Sequence, residues 1–274
     1  MRRRLCLSLL TLALAAGSLL AAAGGASAAP MAAHPAGHHV TLRAGFRPGG
    51  LMIRPGGVSR VSHHGRFTTA LSTNWSGYAV TGGNGAFTSV SANWTQPSAT
   101  CPSRKSQYSS FWAGLDGFNS NSVEQTGTDA DCSGHTPVYY GWYEMYPAFP
   151  VNFSDPVRPG DAMNASVTFS GSSTFTLFLH DATQGWSHTI TVNQTGLARS
   201  SAEVITEAPS SNRGVLPLAD FGTVTYSASS ANGTSLGTQN PIQIIMVNNS
   251  GTPKDSTSAI NNVGGFSNTW IRST

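Results

Sequence analysis

The sequence predicts an all-β protein, an antiparallel β-sandwich of the jelly-roll or concanavalin-like kind. Short segments in which apolar and polar residues alternate recur after Ser72, and clusters of Gly, Ser, Asn and Asp separate them. No segment there has a convincing 3.6-residue apolar period, and Thr and Ser fill many alternate positions, as in sheets with one solvated face. The predicted strands include residues 166–169, 174–180, 188–194, 202–208, 222–229 and 241–247.

Residues 1–28 have the three parts of a secretory signal peptide. MRRR is a basic start, LCLSLLTLALAAGSLLAAA is an apolar stretch, and Ala26-Ser27-Ala28 is a small-residue cleavage site. A membrane anchor is the weaker interpretation, because small residues dominate the stretch and no stop-transfer pattern follows. No later run approaches the roughly 20 apolar residues that span a bilayer. We therefore expect a secreted, extracellular protein without a membrane partner.

Residues 29–68 form a basic leader ahead of an acidic body. Residues 1–68 contain eight arginines, five of the eight histidines and no acidic residue, whereas residues 69–274 contain seven Lys and Arg against twelve Asp and Glu, a net charge of −5. Segment 29–68 lacks regular periodicity, so we interpret it as an extended pro-segment that inhibits its own acidic cleft and leaves when acid protonates the carboxylates. A flexible leader without such a role is the alternative. Nucleic acid is not an expected partner of an exported chain with an acidic body.

Residues 69–274 are numerous enough for one domain with a full core. Only 10% of the chain is charged, and few ionisable side chains suit a protein that stays folded at low pH. Cys101 and Cys132 remain after the signal peptide, and an oxidising compartment predicts one disulfide between them. Two cysteines without an adjacent histidine make a poor zinc site, so we expect no metal and no other cofactor. The body has no evident oligomerisation device, so a monomer is the default expectation.

The chemistry of the body is predicted to rest on carboxyl and amide groups. The sequence contains no Gly-rich phosphate loop and no GxSxG motif, and the local sequence around its three body histidines favours neither a triad nor a metal site. Three segments stand out for their aromatic and acidic residues: 111–129, 139–147 and 201–209. In the last of them, strand alternation places Glu203 and Glu207 on one face. Strand geometry alone does not decide which of the two acts.

Five short motifs follow one another in the body: STNWSGYAV (72–80), WAGLDG (112–117) with EQTG (124–127) after it, WYEMYP (142–147), SAEVITE (201–207) and LADFGTVTY (218–226). Each is short, but their joint order resembles the glutamic peptidases, the eqolisin family of secreted acid endopeptidases. A signal peptide followed by a basic pro-segment also fits a secreted precursor.

The resemblance implies a sandwich of two large antiparallel sheets with a catalytic glutamine and glutamate on the concave face. It assigns these roles to Gln125, in the QTG motif, and to Glu207, the second acid of SAEVITE. The further residues that it places in the site are Trp112, Asp116, Trp142 and Glu144. Two positions depart from the family pattern. Val204 replaces a tryptophan on the face opposite the glutamates, and Tyr140 replaces an aspartate, which removes a carboxyl from the surroundings of Glu144.

A glutamine and a glutamate suit amide hydrolysis in acid. Glu207 is the expected general base and then general acid, since its unperturbed pKa of about 4.3 lies close to an acidic working pH. The amide of Gln125 is neutral at every relevant pH, so it offers an acceptor to water and an N–H to the oxyanion. The resemblance assigns hydrogen-bonding support of this pair to Asp116 and Glu144. It assigns the walls of the cleft to Trp112 and Trp142. The expected function is a secreted acid endopeptidase that cleaves protein or peptide substrates with an activated water and without a covalent intermediate.

A β-jelly-roll glycoside hydrolase is the main alternative, since such enzymes also place two carboxyls and aromatic walls on a concave sheet. Glu203 and Glu207 are roughly 13 Å apart along an extended strand. That is too far for a retaining pair on one straight strand, although Glu144 could partner either. A carbohydrate-binding sandwich, which needs the aromatics but no acid–base group, is a third interpretation. Glu203 is expected to be a neighbour of Glu207, either supporting it or exposed at the start of the strand.

Overall fold

The computed structural model describes residues 46–47, 50–55, 62–64 and 67–274. The predicted signal peptide, residues 1–28, and most of the predicted pro-segment lie outside these ranges. Within them the chain is almost entirely β-structure, and the only helix is a single 3₁₀ turn at Leu236–Thr238. None of the described residues forms a helix long and apolar enough to cross a bilayer.

Short strands make up nearly all of the regular structure. In chain order they are β1 (Phe46–Arg47), β2 (Ser62–His64), β3 (Phe67–Ser72), β4 (Trp75–Thr81), β5 (Ser89–Thr95), β6 (Ser110–Leu115), β7 (Val123–Ser133), β8 (Thr136–Tyr146), β9 (Val151–Asn152), β10 (Ala162–Phe169), β11 (Thr174–Asp181), β12 (Trp186–Asn193), β13 (Ser201–Glu207), β14 (Ser210–Ser211), β15 (Gly214–Val215), β16 (Thr223–Ala231), β17 (Thr234–Ser235), β18 (Ile242–Met246), β19 (Asp255–Thr257) and β20 (Phe266–Trp270). The six segments predicted as strands correspond to β10, β11, β12, β13, β16 and β18.

Two large sheets form the two layers of the sandwich. The front sheet has nine strands in the order β2-β3-β18-β4-β13-β6-β7-β8-β9. The back sheet has the order β12-β11-β10-β5-β16-β20-β19, with β17 paired to β16, and a small third sheet contains β1, β14 and β15. The pairing of β3 with β18 is parallel, whereas the central pairings of both large sheets are antiparallel. The predicted all-β antiparallel sandwich is confirmed.

The core between the sheets follows from strand alternation. In β11 every second residue is buried, and its inward residues Leu177 and Leu179 share one apolar cluster with Leu115 and Val204 of the front sheet. Burial of these side chains is the main favourable contribution to the fold. Val204 therefore lies on the face opposite the glutamates, as predicted, and its substitution for tryptophan changes the packing between the sheets.

The centre of the front sheet is buried on both faces. Every residue of β6 and of β13 is buried, so exposure does not alternate there as it does in the back sheet. Side chains that point away from the back sheet form a second apolar cluster, which includes Met52, Trp75, Trp112, Trp142 and Ile205. We name this side of the front sheet the site face, because the candidate active-site residues lie on it.

Cys101 and Cys132 form the predicted disulfide, with their Cα atoms 5.5 Å apart. The bond ties the loop before β6 to β7, a strand that carries site residues. The predicted start of the body at residue 69 falls inside β3, and β1 and β2 lie within the predicted pro-segment. Strands of two or three residues take their hydrogen bonds from a neighbour and are too short to leave a periodic pattern in the sequence.

Candidate active site

Strands β13, β6, β7 and β8 place their site-face residues in transverse rows. Directly paired residues of neighbouring strands point to the same face, so the register gives the content of each row. The first row contains Glu203, Gly114, Gln125 and Glu144; the second contains Ile205, Trp112, Gly127 and Trp142; the third contains Glu207, Ser110, Asp129 and Tyr140. The register thus brings every predicted site residue except Asp116 to one face of one sheet.

Glu207, the last residue of β13, receives three N–H donors. Trp112 Nε1 donates to Oε2 at 2.9 Å, and the backbone N–H of Gly50 donates to Oε1 at 3.0 Å. Asn74 Nδ2 donates to the same Oε1 at 3.3 Å. Since all three groups are donors, hydrogen bonding at this position favours the ionised carboxylate.

Burial opposes those hydrogen bonds. Glu207 is fully buried, and this loss of hydration raises the pKa of its carboxyl well above the usual range, while the bonds from Gly50, Trp112 and Asn74 lower it. A buried carboxyl that keeps several donors can exist in either protonation state, as a group that takes and returns a proton must.

Glu203 lies in the first row and is also fully buried. Neither of its carboxyl oxygens has an N–H donor within hydrogen-bond distance among the described residues, and the side chain that favours its ionised form is the hydroxyl-bearing Ser201. Burial, followed by the charge of Asp116, raises the pKa of Glu203 well above its usual range. The alternative that Glu203 is exposed at the start of the strand is wrong, because its side chain is fully buried. A buried carboxyl that lacks N–H donors is held in its neutral form.

Gln125 and Glu144 form the predicted hydrogen bond, with 2.9 Å between Gln125 Nε2 and Glu144 Oε2. Both side chains are fully buried, and Gln125 lies within β7 and not on a loop. Gly114 separates them from Glu203 in the first row. A Cβ atom on Gly114 would lie 3.1 Å from Cβ of Gln125 and 2.9 Å from Cζ3 of Trp112. The missing side chain therefore leaves the space in which the amide and the indole are held.

The indole N–H groups of the two predicted tryptophans each donate to a carboxyl group. Trp142 Nε1 donates to Asp129 Oδ1 at 2.6 Å, as Trp112 Nε1 does to Glu207. Gly127 separates the two indoles in the second row, and a Cβ there would lie 2.6 Å from Cβ of Trp112. The second row is thus an aromatic layer that lies between the carboxyls of the third row and the amide of the first.

Tyr140 replaces the expected aspartate by a phenol that bridges two other acids. Its hydroxyl lies 2.8 Å from Asp129 Oδ2 and 2.9 Å from Asp131 Oδ2. A phenol has one proton and can donate to one carboxylate only, so the second contact requires a proton on a carboxyl oxygen. Burial raises the pKa of Asp129 to about 7 and that of Asp131 well above its usual range. The departure therefore changes the surroundings of Asp129, in the row of Glu207, and leaves the Gln125–Glu144 bond in place.

The hydrogen bonds of Asp116 go to residues other than the predicted pair. It follows β6 with a φ of 72°, and its carboxylate accepts the backbone N–H groups of Arg199 at 2.6 Å and Ser200 at 2.9 Å. The hydrogen bonds of Asp116 thus fix the loop that enters β13, and none of them reaches Gln125 or Glu207. Burial and, second, the charge of Asp116 raise the pKa of the neighbouring Glu124 to about 8. Asp116 positions the strand that carries both glutamates.

Comparison with known proteins identifies the family in which these motifs occur in this order. The model of the Peptidase A4 family matches residues 73–266, more than half of the chain. The chain belongs to the Peptidase A4 family. Aspergillopepsin-2 of Aspergillus niger is 30% identical over 239 residues, which cover 78% of this chain and 83% of the relative. The resemblance expected from the motifs is confirmed.

Solved structures of similar proteins agree with this assignment. Scytalido-glutamic peptidase, solved with a transition-state-analogue inhibitor, has a TM-score of 0.62 and 26% identity over 73% of this chain and 98% of its own. Aspergilloglutamic peptidase from Aspergillus niger has a TM-score of 0.54 and 25% identity over 60% of this chain and 99% of its own. This A4 chain is a glutamic-type endopeptidase, a hydrolase that acts on peptide bonds. The glycoside hydrolase and carbohydrate-binding alternatives are not favoured.

Two parts of the site were not predicted. One is Asn74, which lies within the STNWSGYAV motif but carries no titratable group that would mark it as a site residue. The other is residues 50–55, which we name the strap. The sequence signal for the strap is a short apolar run, LMI (51–53), between Gly50 and Arg54 in an otherwise basic and polar leader. In the part of the chain that the structure describes, no group of three or more His, Cys, Asp or Glu side chains is arranged to hold a metal ion.

Proposed function

We propose that this A4 peptidase cleaves peptide bonds in acid with Glu207 as general base and then general acid, and with Gln125 as the donor to the oxyanion. The arrangement around Glu207 carries the proposal. Its carboxylate is buried, is held by side-chain N–H groups of Trp112 and Asn74, and accepts the backbone N–H of Gly50 in the strap. A carboxylate that already hydrogen-bonds to a peptide backbone is within reach of a peptide bond and its attacking water.

Each proton in the proposed reaction has a defined origin and destination. Glu207 takes a proton from water as the water oxygen bonds to the carbonyl carbon. The carbonyl oxygen becomes an oxyanion and accepts an N–H of Gln125, whose other N–H donates to Glu144 and fixes the amide. One such donor contributes about 3 kcal/mol of transition-state stabilisation. Glu207 then gives its proton to the amide nitrogen as the C–N bond breaks, so no covalent intermediate forms.

An activity assay tests this function. The full chain, exported from its host and incubated in acid, should digest denatured protein at about pH 3 and much less at about pH 7, as expected of an acid endopeptidase. Pepstatin should not inhibit the reaction. The activity should be lost in Gln125→Ala and in Glu207→Ala. Release of sugar from polysaccharide without proteolysis, or proteolysis that survives Glu207→Ala, would contradict the proposal.

We also propose that residues 1–28 direct export and that residues 29–68 keep the enzyme inactive as a monomeric precursor. Several backbone contacts of the strap support this role. The carbonyl of Gly50 accepts Trp75 Nε1 at 3.1 Å, and the N–H of Met52 donates to the carbonyl of Gly117 at 3.3 Å. The carbonyl of Ile53 accepts the N–H of Thr73 at 2.8 Å. The strap therefore lies on the site face in the way an extended substrate would, with Gly50 at Glu207.

The strap gives a direct test of inhibition with a matched control. Met52 is 8% exposed within the second apolar cluster, whereas the side chain of Ile53 is 38% exposed. Met52→Lys places a charge in an apolar site and should loosen the strap, so the intact precursor should gain activity roughly tenfold faster in mild acid. Ile53→Lys should activate like the wild type. If unprocessed and processed wild-type chains are equally active, the strap does not inhibit.

A further inference from the structure

Asn74 precedes β4 and joins the strap to Glu207 through one side chain. Its Oδ1 accepts the backbone N–H of Ile53 at 2.7 Å, and its Nδ2 donates to the carbonyl of Leu51 at 3.0 Å. The same Nδ2 donates to Glu207 Oε1 at 3.3 Å. Asn74 is fully buried, and both hydrogens of its amide are used, one by the strap backbone and one by the carboxylate.

The two strap contacts of Asn74 have the geometry of strand pairing. In a parallel ladder, one residue donates to the carbonyl before its partner and accepts the N–H after it. The carboxamide of Asn74 meets these two groups on either side of Met52. It contacts no side-chain atom of the strap through them, so the recognition depends on backbone conformation and not on sequence.

The main chain and a serine hold Asn74 in this position. The hydroxyl of Ser72 lies 2.9 Å from Asn74 Oδ1 and accepts the backbone N–H of Asn74 at 3.2 Å. The carbonyl of Asn74 accepts the N–H of Ala208, the residue after Glu207, at 2.8 Å. Asn74 is thereby tied at its main chain to the end of β13 and at its side chain to the carboxylate that β13 carries.

We propose that Asn74 is a positioning residue for catalysis that clamps the backbone of an extended peptide substrate and, through the same amide, orients Glu207 toward it. The inference rests on the proposed function, because it takes the strap as a guide to the path of a substrate. The ligand class is an extended peptide with a free N–H and carbonyl on either side of the clamped residue, whatever its side chain. A substrate with an N-methylated amide at the Ile53-equivalent position should lose this contact.

Replacement of Asn74 should change two kinetic quantities that a purely structural residue would not change together. Asn74→Ala should lower kcat/KM roughly tenfold to hundredfold, mostly through KM, because it removes hydrogen bonds to the backbone and to a charged group. It should also move the acid limb of the kcat/KM profile upward by about half a pH unit or more, because a carboxylate that loses a donor is protonated at higher pH. Asn74→Asp is nearly isosteric and keeps an acceptor for the N–H but loses both donors. It should lower kcat/KM and move the acid limb upward, as Asn74→Ala does. It takes the place of Asn74→Ala in the test if that variant does not fold.

Asn268→Ala is the matched control. Asn268 is equally buried and donates through Nδ2 to Ser76 Oγ at 3.1 Å, away from Glu207. It should lose stability while KM and the acid limb stay at wild-type values. Wild-type KM and acid limb in both Asn74 variants, or equal changes in Asn268→Ala, would overturn the inference. Failure of the proposed function is distinct, since it would appear as proteolysis that survives Glu207→Gln whatever the Asn74 variants do.

Discussion

Glu203 and Glu207 lie on the same strand and the same face, and both are fully buried, but their neighbours differ. Glu207 receives N–H groups from Gly50, Asn74 and Trp112. Glu203 has no N–H donor among the described residues, only the hydroxyl of Ser201 favours its ionised form, and Gly114 lies beside it in its row. Equal burial therefore gives two different carboxyls, one that can carry a charge and one that retains its proton.

The difference shows what burial alone can and cannot indicate about function. The pKa of both glutamates is strongly raised, so a raised pKa does not distinguish a catalytic acid from a non-catalytic one. The donors separate them, because a base must be stable as a carboxylate for part of its cycle.

In the row that Glu203 shares with Gln125, the largest expected effect concerns Gln125 itself. Gln125→Ala removes the proposed oxyanion donor and should lower kcat/KM by roughly a hundredfold to a thousandfold. Gln96 is the matched control, because it is also buried and its Nε2 donates to the carbonyl of Asp129 at 3.0 Å from the other side of the sheet. Gln96→Ala should lose stability but keep its kcat/KM. Equal losses of activity in the two variants would mean that Gln125 acts only in folding.

A smaller effect is expected at Gly114, between Glu203 and Gln125. Gly114→Ala should push Gln125 and Trp112 from their positions, with a loss of roughly tenfold in kcat/KM and about 1–3 kcal/mol in the free energy of unfolding. Gly83→Ala is the control, since nothing lies within 4 Å of a Cβ at that position. Unchanged kinetics in Gly114→Ala would show that the empty place in the first row is not needed for catalysis.

The smallest effect is on the pH dependence of stability, and its sign follows from the raised pKa of Glu203. Near pH 4 and below, the folded and unfolded states both hold the proton, and Glu203→Gln should match the parent. At higher pH only the unfolded state ionises, so the parent loses about 1.4 kcal/mol per pH unit until the folded-state pKa is reached. Glu203→Gln should therefore be more stable than its parent at pH 6, by roughly 1.4 kcal/mol for each pH unit above the unfolded-state pKa over which Glu203 keeps its proton in the fold. Urea unfolding at pH 4 and pH 6, in a Gln125→Ala background that prevents autolysis, measures the difference.

Other buried acids add to this loss of stability with rising pH. Their contributions should be the same in the parent and in Glu203→Gln. Burial raises the pKa of Asp255 to about 7, and those of Asp129 to about 7 and Glu124 to about 8. Each of these acids makes its full contribution to stability at a pH below its unfolded-state pKa. It loses that contribution as the pH rises toward its folded-state pKa. The parent should thus be most stable in acid. Parallel pH profiles for parent and Glu203→Gln would show that Glu203 is ionised in the fold.

The fold was predictable where sheets have one polar face. Alternation along β11 and β12 predicted both strands, and the joint order of the motifs predicted the family and the site-face position of Gln125 and Glu207. Alternation carries no information on long-range hydrogen bonds, so the donors to Glu207 were not predictable. Gly50 is 157 residues from Glu207 in the chain, and Asn74 is 133 residues from it.

Asp116 and Tyr140 show why residue roles were harder to predict than residue positions. Asp116 bonds to backbone groups of Arg199 and Ser200, and any residue type could have supplied those N–H groups. Tyr140 bonds to Asp131 as well as Asp129, so the change from a carboxyl to a phenol is balanced by acids nearby. In both cases the partner is set by three-dimensional packing and leaves no local pattern.

The assignment of Glu207 and not Glu203 as the reacting acid is tested most directly by comparing Glu207→Gln with Glu203→Gln. Both changes remove one carboxyl and keep its shape. At the pH of maximal activity on one peptide substrate, Glu207→Gln should lower kcat/KM by roughly a thousandfold or more, while Glu203→Gln stays within about threefold of the wild type. A Glu203→Gln enzyme as inactive as Glu207→Gln, or a Glu207→Gln enzyme that retains activity, would contradict the assignment.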